Sequence, residues 1–132
     1  MQIGVETSRA VENKRIYVVD EDEITRAAIQ FMLHDENEAH EVPDLATALA
    51  KSETSPPDVV VMGLPMVAAA GIGAIAEIFG TLPAVRLVLV ADPKDAAFAR
   101  DCIRAGAHAV ILKPLTIAEV RNKVDFVLGR AV

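Results

Sequence analysis

Two hydrophobic rhythms alternate along this chain. Short runs in which nearly every residue is apolar are separated by longer segments in which apolar residues return every three or four positions. The short runs fall at 15–20, 58–62, 85–90 and 108–112, rich in Val and Ile, and predict buried strands, while 40–42, His-Glu-Val, predicts a weak second strand. Between them the spacing predicts helices. Asp22 caps the first, with Ile24, Ala27, Ala28 and Phe31 as its apolar face to about residue 34. Asp44 caps a short second one carrying Leu45, Ala48 and Leu49. Residues 63–70 read as a loop. Ile72, Ile75, Ala76 and Phe79 mark a third helix ended by Gly80. Asp92 and Pro93 suit the N-cap and first position of a fourth, with Phe98, Ala99, Cys102 and Ile103 as its stripe and Gly106 after it. Thr116 and Glu119 have the spacing of a capping box before Ile117, Val120, Val124 and Val127.

Strands that are apolar on both faces and alternate with helices predict an α/β fold, a doubly wound parallel sheet covered on both sides. Residues 1–13 lack periodicity and read as a flexible tail, leaving one domain over 14–132. In such sheets the functional crevice lies beyond the carboxyl ends of the strands. That rule selects Asp20 to Asp22, Gly63, Ala91 with Asp92, and Lys113, which are distant in sequence and meet only if the fold brings them to one edge.

Composition narrows the function classes. A chain of 132 residues that is 52% hydrophobic can bury a core. The formal net charge of -6 argues against nucleic-acid binding, and no basic run suggests a membrane tether. The single cysteine, Cys102, excludes an intrachain disulfide and suits a reducing compartment. With no signal-peptide core and no apolar stretch of spanning length, the expected location is the cytoplasm, away from membranes.

Five segments then carry a resemblance: Val18-Val19-Asp20-Glu21-Asp22-Glu23, Pro57-Asp58 through Met62, Leu64-Pro65-Met66 with Gly71, Ala105-Gly106-Ala107, and Lys113-Pro114-Leu115. In this order and spacing the chain, over 14–129, resembles the receiver domain of bacterial two-component response regulators. The resemblance implies a flavodoxin-like sheet of order 2-1-3-4-5. It implies metal-binding acids at Asp20 and Glu21, a phosphate-pairing lysine at Lys113, and Pro114 after a cis bond. It also implies an aspartate ending the third strand, a hydroxyl after the fourth and an aromatic on the fifth. Here those positions hold Gly63, Ala91 and Val110. Glycine has no side chain to phosphorylate, so the expectation is a pseudo-receiver that does not signal by aspartyl phosphorylation. With one acid missing, Asp20 and Glu21 would hold Mg²⁺ only weakly, and no other cofactor is implied.

The leading expectation is therefore a non-enzymatic signalling module acting through protein contacts, with a histidine kinase or another regulator as partner. The family's usual surface, its fourth helix, fifth strand and fifth helix, carries Arg100, Asp101, Arg104, Arg121, Lys123 and Asp125 here, a mixture of signs that suits a homodimer. The alternative is a ligand or ion sensor using a pocket between Glu21, Gly63 and Lys113. An enzyme is disfavoured, since no nucleophile and base pair up at the strand ends. Simpler roles also stand: the acids favour a helix N-terminus, Lys113 pairs with Asp20 or Glu21, Asp92 caps, and Cys102 is an inert core thiol. His34, His40 and His108 show no ligand spacing. The small apolar stretch 66–70 suits either a contact surface or a cover over the emptied site. The chain also suits the receiver part of a longer regulator.

Overall fold

The computed structural model describes residues 13–130, so the tail expected over 1–13 lies almost wholly outside the described residues. Five strands alternate with six α-helices: β1 Arg15–Val19, α1 Glu23–Leu33, β2 Glu38–Val42, α2 Leu45–Lys51, β3 Val59–Gly63, α3 Leu64–Ala70, α4 Gly73–Thr81, β4 Arg86–Ala91, α5 Ala96–Arg104, β5 Ala109–Leu112 and α6 Ile117–Val127. The sheet is parallel throughout, with order 2-1-3-4-5.

Alternation along each strand divides the core in two. Ile16, Val18, Val59, Val61, Val88, Val90 and Ile111 face α1 and α6. Tyr17, Val19, Val60, Met62, Leu87 and Leu89 face α2 to α5. Because both faces of the inner strands are covered, β1, β3 and β4 read as nearly continuous apolar runs, whereas edge strand β2 keeps Glu38 and Glu41 exposed.

Three helices differ from the periodicity reading. On α1 the buried residues are Thr25, Ile29 and Leu33, while Ile24 and Phe31 are 81% and 65% exposed. The Asp22 cap sets this phase: the Thr25 hydroxyl donates to Asp22 Oδ2 at 2.7 Å, so a polar residue is satisfied on the inner face. Residues 64–70 form helix α3 rather than a loop, with Pro65 in its first turn, where a missing N–H costs nothing, and Leu64 and Val67 packed inward. Gly80 lies inside α4, which ends at Thr81, because Ile78 is buried and accepts the closing bond from Leu82 N–H. Gly106 does follow α5. It has φ +126°, and a Cβ there would stand 3.2 Å from the Phe79 ring.

Candidate functional site at the strand ends

Gly63 ends β3, paired with Val90 of β4, and is buried. Its φ of -66° and ψ of 132° are open to any residue, so backbone shape does not demand glycine. The constraint comes from a neighbour. Asp20, just past β1, leans across the strand end, and its Oδ2 lies 2.5 Å from where a Cβ on Gly63 would be. Its Oδ1 accepts a hydrogen bond from Asp22 N–H at 2.9 Å. The Asp20 carboxylate thus stands against the Gly63 side of the room expected between Glu21, Gly63 and Lys113.

Asp22 is committed to the helix. It accepts from Ile24 N–H at 3.2 Å and from the Thr25 hydroxyl. The Thr25 hydroxyl above all, then backbone N–H groups and the charge of Lys113, hold its carboxyl below the ordinary range against the effect of burial. Glu21 is exposed. No group of three or more His, Cys, Asp or Glu among the described residues is arranged to hold a metal ion.

Ala91 ends β4, buried, and its carbonyl accepts from Lys113 N–H at 2.9 Å. Lys113 precedes Pro114 through a cis peptide, as the resemblance implied. Its expected ion pair with Asp20 or Glu21 does not form: among the described residues no carboxylate lies within the 4.0 Å of an ion pair, and its charge is felt at longer range by Asp22. Asp92 occupies the N-cap position of a 3-10 turn, Pro93–Asp95, with no side-chain capping bond; its carbonyl accepts from Asp95 N–H instead. Thr116 does cap α6, accepting from Glu119 N–H at 3.1 Å. Cys102 is fully buried and burial pushes its thiol pKa up, the condition of an unreactive core thiol.

The expected interaction face divides. With α3 present, the predicted fourth and fifth helices are α5 and α6. Arg100, Asp101 and Arg104 lie on α5, where Arg104 pairs with Asp101 at 2.8 Å. Lys123 joins them across β5. Arg121 belongs elsewhere: its Nε donates to the Met32 carbonyl at 2.9 Å and it reaches Asp35, tying α6 to α1. A residue two positions from Lys123 on a helix falls on the opposite flank, so a list by sequence could not separate them. Asp125 pairs with Arg130 at 3.2 Å. Between α5, β5 and α6 lies a groove of about 320 Å³, lined by Ala99, Arg100, Ile103, Val110, Leu112 and Lys123, which no sequence signal announced except Val110 in place of a larger residue.

Set beside known proteins, this geometry has clear relatives. The family model described as Response regulator receiver domain matches residues 16–125. The chain is a response-regulator receiver domain. It is 30% identical over 119 residues to the chemotaxis protein CheY of Thermotoga maritima, covering 85% of this chain and 98% of that one. Among solved structures it resembles the receiver domain of NtrX from Brucella abortus, at 24% identity and TM-score 0.78, over 88% of this chain and 99% of that one. A longer NtrX chain matches at 24% identity and TM-score 0.81 over 89% of this receiver, which spans only 26% of it. A receiver domain from Bacteroides fragilis matches at 19% identity and TM-score 0.80, over 90% of this chain and 99% of that one. These structural likenesses speak to the fold. No single helix among the described residues is long and apolar enough to cross a membrane.

Proposed function

We propose that this receiver is a pseudo-receiver. It takes part in two-component signalling through protein–protein contacts that do not depend on aspartyl phosphorylation, in the cytoplasm, with no catalysis of its own. The observation that carries the reading is the end of β3: Gly63 offers no nucleophile, and the Asp20 carboxylate fills the space beside it. The accessory groups agree. Ala91 has no hydroxyl for a phosphoryl oxygen, Val110 has no aromatic ring to turn, and Lys113 makes no ion pair among the described residues. Magnesium has no role in this reading. A kinase or another regulator binds the surface directly. The ligand-sensor alternative is the weaker reading, because the Asp20 carboxylate stands against Gly63, one wall of its pocket.

The test is incubation with acetyl phosphate and Mg²⁺, read by intact mass, alongside amide NMR with Mg²⁺ and beryllofluoride. No phosphoryl adduct and no shifts near Glu21, Gly63 and Lys113 are expected. A stoichiometric, acid-stable adduct at an aspartate, or saturable shifts at those residues, would overturn the reading.

A further inference from the structure

The amino ends of β4 and β5 lie at the base of the sheet, opposite the strand-end crevice, and a histidine joins them. His108 N–H donates to the Leu87 carbonyl at 2.8 Å, and Leu87 N–H donates in return to the imidazole Nδ1 at 3.0 Å. A side chain thus stands where a strand ladder ordinarily supplies a carbonyl. Only a ring unprotonated at Nδ1 can accept that bond. Leu87 is fully buried, so its N–H has no water to turn to once the acceptor is lost.

The preceding residue carries the consequence to a helix. Arg86 opens β4, and its Nε donates to the Val127 carbonyl at 3.2 Å. Val127 is the last residue of α6, so this is one of the carbonyls a helix leaves without an internal partner at its C-terminus, where a cation is favoured. Leu128 N–H to Val124, Gly129 N–H to Phe126 and Arg130 N–H to Asp125 close the same end.

We propose that His108, Leu87 and Arg86 form a proton-sensitive latch that holds the last turn of α6 on the base of the sheet. With His108 neutral the latch is closed. On protonation Nδ1–H meets Leu87 N–H, donor against donor, and a second cation stands by Arg86. The start of β4 then shifts from His108, and Arg86 loses the Val127 carbonyl. The surroundings offer the imidazolium no compensation. From β4 comes Arg86, whose charge opposes protonation. From α4 comes the uncharged Phe79 ring, edge-to-face at 5.7 Å, and from the turn before β5 Gly106, against that same ring. Asp101 on α5 is paired with Arg104, and Asp125 on α6 with Arg130. No carboxylate among the described residues pairs with His108. Acidification therefore opens the latch. Phe126, 67% exposed, lies in the turn that is released, so the latch sets how an apolar side chain is presented on the surface.

This goes beyond the pseudo-receiver reading and does not depend on it. The test follows the full chain by NMR from pH 7 to pH 5. The His108 ring is expected to titrate below its usual 6.5. Amide shifts at Leu128, Gly129 and Arg130 follow with the same midpoint. Their hydrogen exchange, corrected for its intrinsic pH dependence, accelerates about tenfold. His108→Asn can place an acceptor oxygen where Nδ1 stands and does not titrate, so the response disappears. In Arg86→Met the same amides exchange fast at both pH values while His108 still titrates. Circular dichroism checks that both variants keep the fold. Should His108→Asn fail to fold, Arg86→Met decides alone, and a pH response of the α6 amides that survives it overturns the latch. So do α6 amides that stay unmoved while His108 titrates, or a response that persists in His108→Asn. Simultaneous loss of protection at Ile29, buried on α1, also overturns it, because that reports opening of the whole core rather than of one turn. The outcome is the same whether or not the chain proves phosphorylatable, so failure of the strand-end reading leaves this test intact.

Discussion

The strand-end crevice and the α5–β5–α6 groove lie on the same molecule and have opposite fates. In the crevice, polar groups have found partners within the fold. Asp20 takes the Asp22 N–H and fills the space beside Gly63, Asp22 takes Ile24 and Thr25, and the Ala91 carbonyl takes Lys113 N–H. In the groove, aliphatic surface stays in water and Arg100 has no carboxylate beside it. Polar atoms at a buried strand end are satisfied internally, since buried unsatisfied groups are costly. An apolar surface has no such remedy and stays available for a partner.

The largest effect that tests this contrast comes from two adjacent residues of β5. Ile111 is fully buried against α1 and α6, whereas Val110 is half-buried under the groove. Ile111→Ala should cost about 2–5 kcal/mol in urea denaturation, and Val110→Ala about 1 kcal/mol or less. Equal costs would mean the groove floor is ordinary core.

Gly63→Ala should come next. Its Cβ must displace the Asp20 carboxylate and so break the bond to Asp22 N–H, a loss of about 1 kcal/mol. Because the backbone conformation is ordinary, the penalty should vanish in an Asp20→Gly background. A double-mutant cycle measures that coupling. A full penalty without Asp20 would show that something else crowds Gly63.

Asp22→Ala should cost about 1 kcal/mol through loss of the α1 cap. With the Thr25 hydroxyl released, hydrogen exchange should accelerate in the first turn of α1 and not at β5.

The smallest effect is a pH dependence away from both sites. His108 Nδ1 accepts from Leu87 N–H at 3.0 Å, so it must be unprotonated there, and partial burial lowers the pKa below its usual 6.5. The unfolded chain therefore takes up the proton first. The contribution is complete above about pH 6.5 and is lost as pH falls toward the depressed folded value. Stability measured at pH 7 and 5.5 should differ less in His108→Gln than in the wild type.

Much of this was legible without a structure. The five strand segments, the caps at Asp22, Asp44 and Thr116, and the glycine after α5 are local signals, and each falls where the spacing placed it. The glycine at position 63 was legible too, because a residue type is stated outright by the sequence. Less legible was the phase of α1. Ile24 and Phe31 have helical spacing, but so do Thr25, Ile29 and Leu33, and periodicity alone cannot say which face meets the sheet. Helix α3 was hidden because Ala68, Ala69 and Ala70 give no polar contrast to mark a face.

Fold class and the residue types at the strand ends, glycine at position 63 among them, could be read from composition and spacing along the chain. Only the tertiary structure decided that Asp20 closes the space beside Gly63. It alone also separated Arg121 from Lys123 and left a cationic apolar groove on one side of α6 with the exposed Ile24 and Phe31 of α1 on the other. Those outcomes depend on which side chains meet across elements far apart in the chain, and that follows from packing and hydrogen-bond satisfaction rather than from any local pattern.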